Sequence, residues 1–298
     1  MPKSPNKQKG KNSRKPAARR RTRSSQVAPP SFSSLEGRLD SMGPVESSRS
    51  RPEDLAQELV YSAWETNVSK TRVDRARRAL KLWPDCADAW VILANALAET
   101  LEQKREFYAA GVAAGQRALG EEAFTEDVGH FWGILETRPY MRARAGLARV
   151  LQQLARLDEA VGHLRELLRL DPLDHQGNRY FLVHWFLQAD RDDDAMQVIN
   201  EYSDDSIAEW AYSRALLAFR RQGPTSAASE LLDTARMKNS FVPAYLLGRR
   251  QIPKDLPDTL GFGDDREAVA YAADYKAIWK KTPGALDWLK SNLGKKIS

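Results

Sequence analysis

Apolar residues recur at three- and four-residue intervals through residues 141–171, a spacing that predicts two helices with one buried stripe each. The first stripe includes Leu147 and Leu151, and the second includes Ala160 and Leu164. The short charged segment between the stripes is long enough only for a turn. Because two such helices cannot cover their own apolar faces, we expect further helix pairs to stack against them.

Small residues and prolines follow a regular spacing in the same region. Ala148, Ala160 and Pro172 are each twelve residues apart, and Ala195 follows Ala160 by thirty-five. A tryptophan, a leucine and an alanine open residues 90–94 in the order typical of a tetratricopeptide repeat. The sequence therefore resembles this repeat, in which small residues let two helices approach and a proline ends the unit.

The same spacing predicts an all-α, tetratricopeptide-like helical-repeat solenoid over residues 50–293, ending in C-terminal capping helices. Ser50 and Glu53 form a possible capping box at its start, and Thr282 is the expected N-cap of the last helix. The expected helices after the first are 70–82, one opening near 85–88, 104–119, the two in 141–171, 178–188, 193–202, 206–221, 225–239, 244–249, 264–281 and 283–293. Residues 120–138 break the rhythm and are expected to form a packed connector.

Residues 1–49 are rich in proline, serine, lysine and arginine and lack periodic apolar positions, so we expect a disordered basic tail. Ten of the first twenty-five residues are basic and none is acidic, which leaves a net −4 of the chain's +6 for the remainder. One interpretation is a non-specific solubilising tail. The other is a polyanion-binding segment, whose candidate residues are Arg19, Arg20, Arg21 and Arg23.

Composition argues against several functional classes. The longest apolar stretch, residues 89–98, has half the length of a membrane span, so none is expected. No secretory signal is evident, and the cytoplasm is the expected location. The single Cys86 and four scattered histidines predict no disulfide, zinc site or other cofactor. No serine lies in a glycine-flanked nucleophile elbow, so we do not expect an enzyme.

Several stretches in the last third of the chain resemble a particular protein family, beyond the general pattern of a helical repeat. Residues 239–247, 263–271 and 279–286 resemble the C-terminal part of the suppressor-of-tumorigenicity-seven family, and 139–144 resembles its helical core. The resemblance covers about residues 85–290. It implies no catalytic residues, since the family has none established. The family's animal members are thought to associate with membranes through N-terminal segments without a counterpart here, so the resemblance predicts no membrane association.

The strongest candidate for a functional site is the segment that opens the first helix of the central pair. First helices line the groove of such repeats, where extended peptides bind. Arg142 and Arg149 lie about 20° apart in helical projection, and an arginine can fork two hydrogen bonds to a carboxylate. The alternative is that Arg138, Arg142 and Arg144 pair with nearby acids of the chain, such as Asp127 or Glu136. The candidate partner-binding residues are Arg138, Tyr140, Arg142, Arg149, and, on flanking first helices, Asn95, Tyr180 and His184.

The function most consistent with these patterns is a non-catalytic protein–protein interaction scaffold or adaptor that binds a partner peptide in the groove of a helical repeat. The alternative is a nucleic-acid-associated protein that acts through its basic tail, with non-specific binding. The two hypotheses differ in the part of the chain that carries the affinity, because only tail-driven binding is lost when residues 1–49 are removed.

Overall fold

The computed structural model describes residues 51–294 of the chain. The predictions for the basic tail, including its four arginines, and for Ser50 as a helix cap lie outside these residues. Inside them, every regular element is helical and no strand occurs, which confirms the predicted all-α class. The helices lie close to the positions that the apolar spacing predicts.

Thirteen α-helices occupy the described part of the chain. They are α1 (Pro52–Glu65), α2 (Ser69–Leu82), α3 (Ala87–Ala96), α4 (Leu101–Glu126), α5 (Arg138–Gln153), α6 (Leu157–Leu170), α7 (Asn178–Gln188), α8 (Asp192–Glu201), α9 (Ala208–Gln222), α10 (Ser226–Lys238), α11 (Val242–Leu246), α12 (Asp265–Lys281) and α13 (Ala285–Asn292).

Consecutive helices pack as pairs, and each pair packs on the next. The pairs are α1 with α2, α3 with α4, α5 with α6, α7 with α8 and α9 with α10. Contacts between α2 and α3, α4 and α5, α6 and α7, and α8 and α9 join the pairs in chain order. At the C-terminal end, α12 packs on α7, α9, α11 and α13. The expected side-by-side helix pairs are confirmed, whereas the tetratricopeptide assignment stays an interpretation of the sequence spacing.

Small residues stand where helices come closest. Ala148 and Ala160, which the sequence pattern assigns to a helix–helix contact, are both fully buried. On α4, a Cβ added at Gly115 would lie 2.8 Å from the Cβ of Tyr140. A Cβ at Gly146 would lie 2.1 Å from the ring of Tyr108, too close for any side chain. These positions let α4 and α5 approach more closely than larger residues would allow.

Two predicted boundaries are corrected by the structure. Helix α4 continues through Gly120, whose φ of +74° makes a kink, so the connector is shorter than expected and consists of two 3₁₀ turns. Thr282 does not cap the last helix, which begins after Gly284. Instead, the Thr282 hydroxyl donates to Ile278 O (3.1 Å) and accepts from Arg220 Nε (3.0 Å), which ties it to the end of α12.

Candidate partner-binding site

Arg142 holds an acid of its own chain rather than presenting an open fork. Its Nε donates to Asp88 Oδ1 (2.8 Å) and its Nη2 to Asp88 Oδ2 (2.6 Å), a bidentate pair. Gln57 Nε2 donates to the second carboxylate oxygen (3.2 Å). This network joins the first helices of three successive pairs, α1, α3 and α5. Arg142 therefore helps to hold these three helices together.

Asp88 is fully buried, although it is charged. It stands in the first turn of α3, where an acidic residue also interacts favourably with the positive end of the helix dipole. Arg142 thus does pair with an acid of its own chain, as the alternative interpretation expects. The acid is fifty-four residues away and is neither Asp127 nor Glu136.

Arg149, two turns further along α5, has no such partner. No carboxylate of the described residues lies within ion-pair distance of its guanidinium, which lies over the ring of Phe181 (4.9 Å from Cζ to the centroid). The residue is exposed at its outer side. Desolvation by the packed neighbours lowers the pKa of the Arg149 guanidinium, and the nearby Tyr108 hydroxyl opposes this shift. Arg149 is a cation held in place without a counter-charge.

Asn95 and Arg149 have a neighbour in common, which is Tyr108. The Asn95 side-chain amide donates to Val91 O (3.0 Å), and its Oδ1 accepts from the Tyr108 hydroxyl (3.0 Å). Asn95 itself is exposed. Tyr108 thus links Asn95 on α3 to Arg149 on α5. The Arg149 contact with Phe181 on α7 extends this group to a third first helix.

His184 extends the same surface by one turn of α7. It follows Phe181 by three residues, and Phe181 also contacts Trp185 (5.9 Å between ring centroids). His184 Nε2 lies 3.2 Å from Asp274 O on α12, and its ring packs edge-on against Tyr275 (5.1 Å). These two contacts leave the imidazole half-buried and fix its orientation.

Two aromatic residues of α1 that the sequence analysis did not select complete the surface. Trp64 and Tyr61 are exposed and lie 5.9 Å apart, and the Arg142 guanidinium lies over the Trp64 ring (5.1 Å). Trp64 thus lies at the edge of the core. We call the resulting surface the first-helix face, formed by Tyr61, Trp64, Asn95, Arg149, Phe181 and His184.

The other three candidates are engaged by contacts within the fold. The guanidinium of Arg138 lies over Trp132 (4.7 Å) and donates to the carbonyl of the same residue. Tyr140 is only 1% exposed, so its side chain is not available to a partner. The Tyr180 hydroxyl donates to Asp205 (2.7 Å). Contacts within the fold therefore use all three side chains.

Titratable groups elsewhere are arranged as core residues. Burial raises the pKa of the Cys86 thiol to about 11, which keeps it protonated and unreactive. Burial and the neighbouring Arg144 lower the pKa of His163 to about 4. Among residues 51–294, no three His, Cys, Asp or Glu side chains are grouped as a metal site would require. No helix in this range combines the length and apolarity of a bilayer span.

Comparison with known families identifies the chain. A family model described as ST7 protein matches residues 45–295. The chain belongs to the ST7 protein family. The resemblance inferred over residues 85–290 is therefore confirmed and extends to the first helix pair.

Relatives within the ST7 family come from several vertebrates. The chain is 30% identical over 259 residues to the suppressor of tumorigenicity 7 protein-like protein of Danio rerio, covering 80% of this chain and 44% of the relative. The Gallus gallus counterpart is 28% identical over 261 residues, covering 80% and 46%. The suppressor of tumorigenicity 7 protein of Macaca fascicularis is 29% identical over 259 residues, covering 77% and 48%. The chain thus spans less than half the length of these relatives.

Proposed function

We propose that this ST7 family protein is a non-catalytic, cytoplasmic interaction scaffold that binds a segment of a partner protein on the first-helix face. The observation that supports this most strongly is Arg149, an exposed residue whose guanidinium packs over an aromatic ring without an ion-pair partner among the described residues. A fixed cation of this kind recognises a carboxylate at low entropic cost, because its rotamer is already restricted.

The neighbours of Arg149 define the chemistry of the partner. Asn95 is an exposed residue whose amide is held by Val91 and Tyr108 and retains a second N–H for a peptide backbone, and Phe181 offers an apolar ring beside the cation. Tyr61 and Trp64 supply exposed aromatic area, which is the type of surface enriched in binding hot spots. The face thus fits an extended segment with an acidic residue flanked by apolar ones.

Arg142 supports the face without binding the partner carboxylate in this proposal. Both hydrogen bonds of its fork go to Asp88, so a second carboxylate would have to displace a buried one. A binding experiment based on Arg142→Ala would therefore combine lost stability with lost recognition. The informative substitution is Arg149→Glu, which reverses the charge at the exposed position and disturbs no ion pair of residues 51–294.

The test is affinity capture from cell extract with quantitative mass spectrometry, comparing wild type, Arg149→Glu and a control. Arg249→Glu is the matched control, since Arg249 is exposed outside the first-helix face and helix α2 and carries the same charge change. We expect partners that are lost with Arg149→Glu and kept with Arg249→Glu. Capture that is unchanged by Arg149→Glu, with unchanged thermal melting, would overturn the proposal.

The basic tail supports a second candidate, a nucleic-acid-associated function. The first twenty-five residues of the tail hold ten basic residues and no acid, which is the composition of a segment that binds polyanions by counterion release. This binding would weaken steeply with salt and would not respond to Arg149→Glu. A salt titration of a labelled oligonucleotide against the full chain and residues 46–298 separates the tail contribution from that of the helical domain.

A further inference from the structure

Helix α2 carries a charge that the rest of the described fold does not compensate. Its fourteen residues include six lysines and arginines and one acid, Asp74. None of the six basic side chains lies within ion-pair distance of a carboxylate among residues 51–294, whereas the arginines of α5, α6 and α9 form such pairs. Arg72 and Arg75 donate to the backbone carbonyls of Thr66 and Ser62 instead.

Four of these cations share the outward face of α2. Lys70, Arg77, Arg78 and Lys81 are all exposed, and helical projection places them within about 100° of one another. The opposite side of the helix holds the buried residues, which are Val73, Ala76 and Ala79. Asp74 is also exposed and lies within this arc, so the outward face carries four cations and one acid. We call this net-positive face, which runs the length of the helix, the basic stripe.

A cleft lined by three leucines and three polar residues adjoins the basic stripe between α1 and α2. It has a volume of about 500 Å³, and its lining residues are Leu55, Glu58, Leu59, Ser62, Arg78 and Leu82. Leu55 is 38% exposed and Leu82 is 45% exposed. On α1, Leu55 and Trp64 lie about 180° apart in projection, so the cleft and the first-helix face are on opposite sides of this helix.

The two features together specify one occupant. We propose that the α1–α2 cleft and the basic stripe of α2 form a second docking surface for an acidic amphipathic helix of a partner protein. The apolar side of such a helix covers Leu55, Leu59 and Leu82, as in other helix-in-groove complexes. Its acidic side lies against Lys70, Arg77, Arg78 and Lys81. A nucleic acid would satisfy the charges but would leave the exposed leucines uncovered.

The probe is a fluorescein-labelled synthetic peptide of about sixteen residues with leucines at helical i, i+3, i+4 and i+7 spacing and glutamates on the other face. Fluorescence anisotropy is measured with the full chain. We expect saturable binding that weakens with salt. A scrambled peptide of the same composition loses the apolar stripe and should bind at least tenfold more weakly.

Variants locate the bound peptide. Arg77→Glu combined with Arg78→Glu should weaken binding at least tenfold, and Leu82→Ser should weaken it severalfold. The matched control is Arg249→Glu with Lys280→Glu, which reverses two exposed charges outside α2 and should leave binding unchanged. Arg149→Glu should also leave it unchanged, which separates this surface from the first-helix face. Circular dichroism confirms that each variant is folded.

Three outcomes would overturn the proposal. The first is equal binding of the designed and scrambled peptides, which would indicate charge attraction alone. The second is loss of binding with Arg149→Glu but not with the α2 variants, which would place the peptide on the first-helix face. The third is binding of a single-stranded oligothymidylate that depends on Arg77 and Arg78, together with no binding of the peptide, which would assign the stripe to nucleic acid.

Discussion

Replacing Arg142 with alanine tests how the first three helix pairs are held together. The substitution removes both hydrogen bonds from the Asp88 carboxylate, which is fully buried, and leaves it with Gln57 at 3.2 Å. A buried carboxylate without a counter-charge is much less stable than one in water. The loss should therefore exceed that of an ordinary exposed ion pair.

The structure also sets the size of the effect. Removing one partner of a buried ion pair costs about 3–5 kcal/mol. The Arg142 side chain is 35% exposed, so water can enter part of the space it leaves, and we expect about 3 kcal/mol, at the lower end of that range. Asp88→Asn should cost less, about 1–2 kcal/mol, because Arg142 can then turn toward solvent. The double variant should lose less than the sum of the two.

The assay is denaturation by urea and by heat at pH 7, monitored by far-ultraviolet circular dichroism. For a domain of this size, the Arg142→Ala loss corresponds to a melting temperature lower by about 6–12 °C. Arg77→Ala is the control and should change stability by less than about 0.5 kcal/mol. A similarly small effect of Arg142→Ala, or additive behaviour of the double variant, would refute the buried clamp.

Three further predictions concern other parts of the chain. Ala148→Leu or Ala160→Leu should cost about 1–3 kcal/mol by overpacking, and unchanged melting of both would show that these positions are not close helix contacts. Burial raises the pKa of Glu209 to about 8 in the folded state, above its unfolded value of about 4.3, so its stabilising contribution is present below pH 4 and declines as pH rises toward 8. Glu209→Gln should flatten this decline in urea denaturation between pH 5 and 8, and an unaltered pH profile would contradict the assignment. Deleting residues 1–45 should leave stability within about 0.5 kcal/mol while it weakens polyanion binding, and a larger loss of stability would show that the tail contributes to the fold.

The helices were predictable because their signals are local. Apolar spacing predicts the bounds of α7 without error, and the expected 193–202 differs from α8 by one residue at each end. The carboxylate of Asp264 caps α12 by accepting from the backbone of Arg266 and Glu267, close to the expected start of that helix. Such periodicities and caps depend on residues within a few positions of one another.

The site was only partly predictable, because its contacts are long-range. The acid that holds Arg142 is on a helix fifty-four residues away, and no local pattern distinguishes Asp88 from an ordinary helix-start residue. Tyr140 is predicted from the sequence to bind a partner, although helical projection places it between Leu147 and Leu151 on the apolar stripe of α5. The absence of a side chain at Gly115 lets its ring enter the core. Tryptophan is usually well buried, whereas the position of Trp64 in the first helix pair leaves one side of its ring open.

The central claim, that the first-helix face binds a partner, is tested most directly by site-specific photocrosslinking in cells. A benzophenone amino acid placed at Asn95, which is exposed beside Arg149, should give a defined adduct that disappears when Arg149→Glu is added. The same group placed at Glu230, exposed on the second helix α10, should give no such adduct. An adduct from Asn95 that persists with Arg149→Glu, or equal adducts from both positions, would contradict the account.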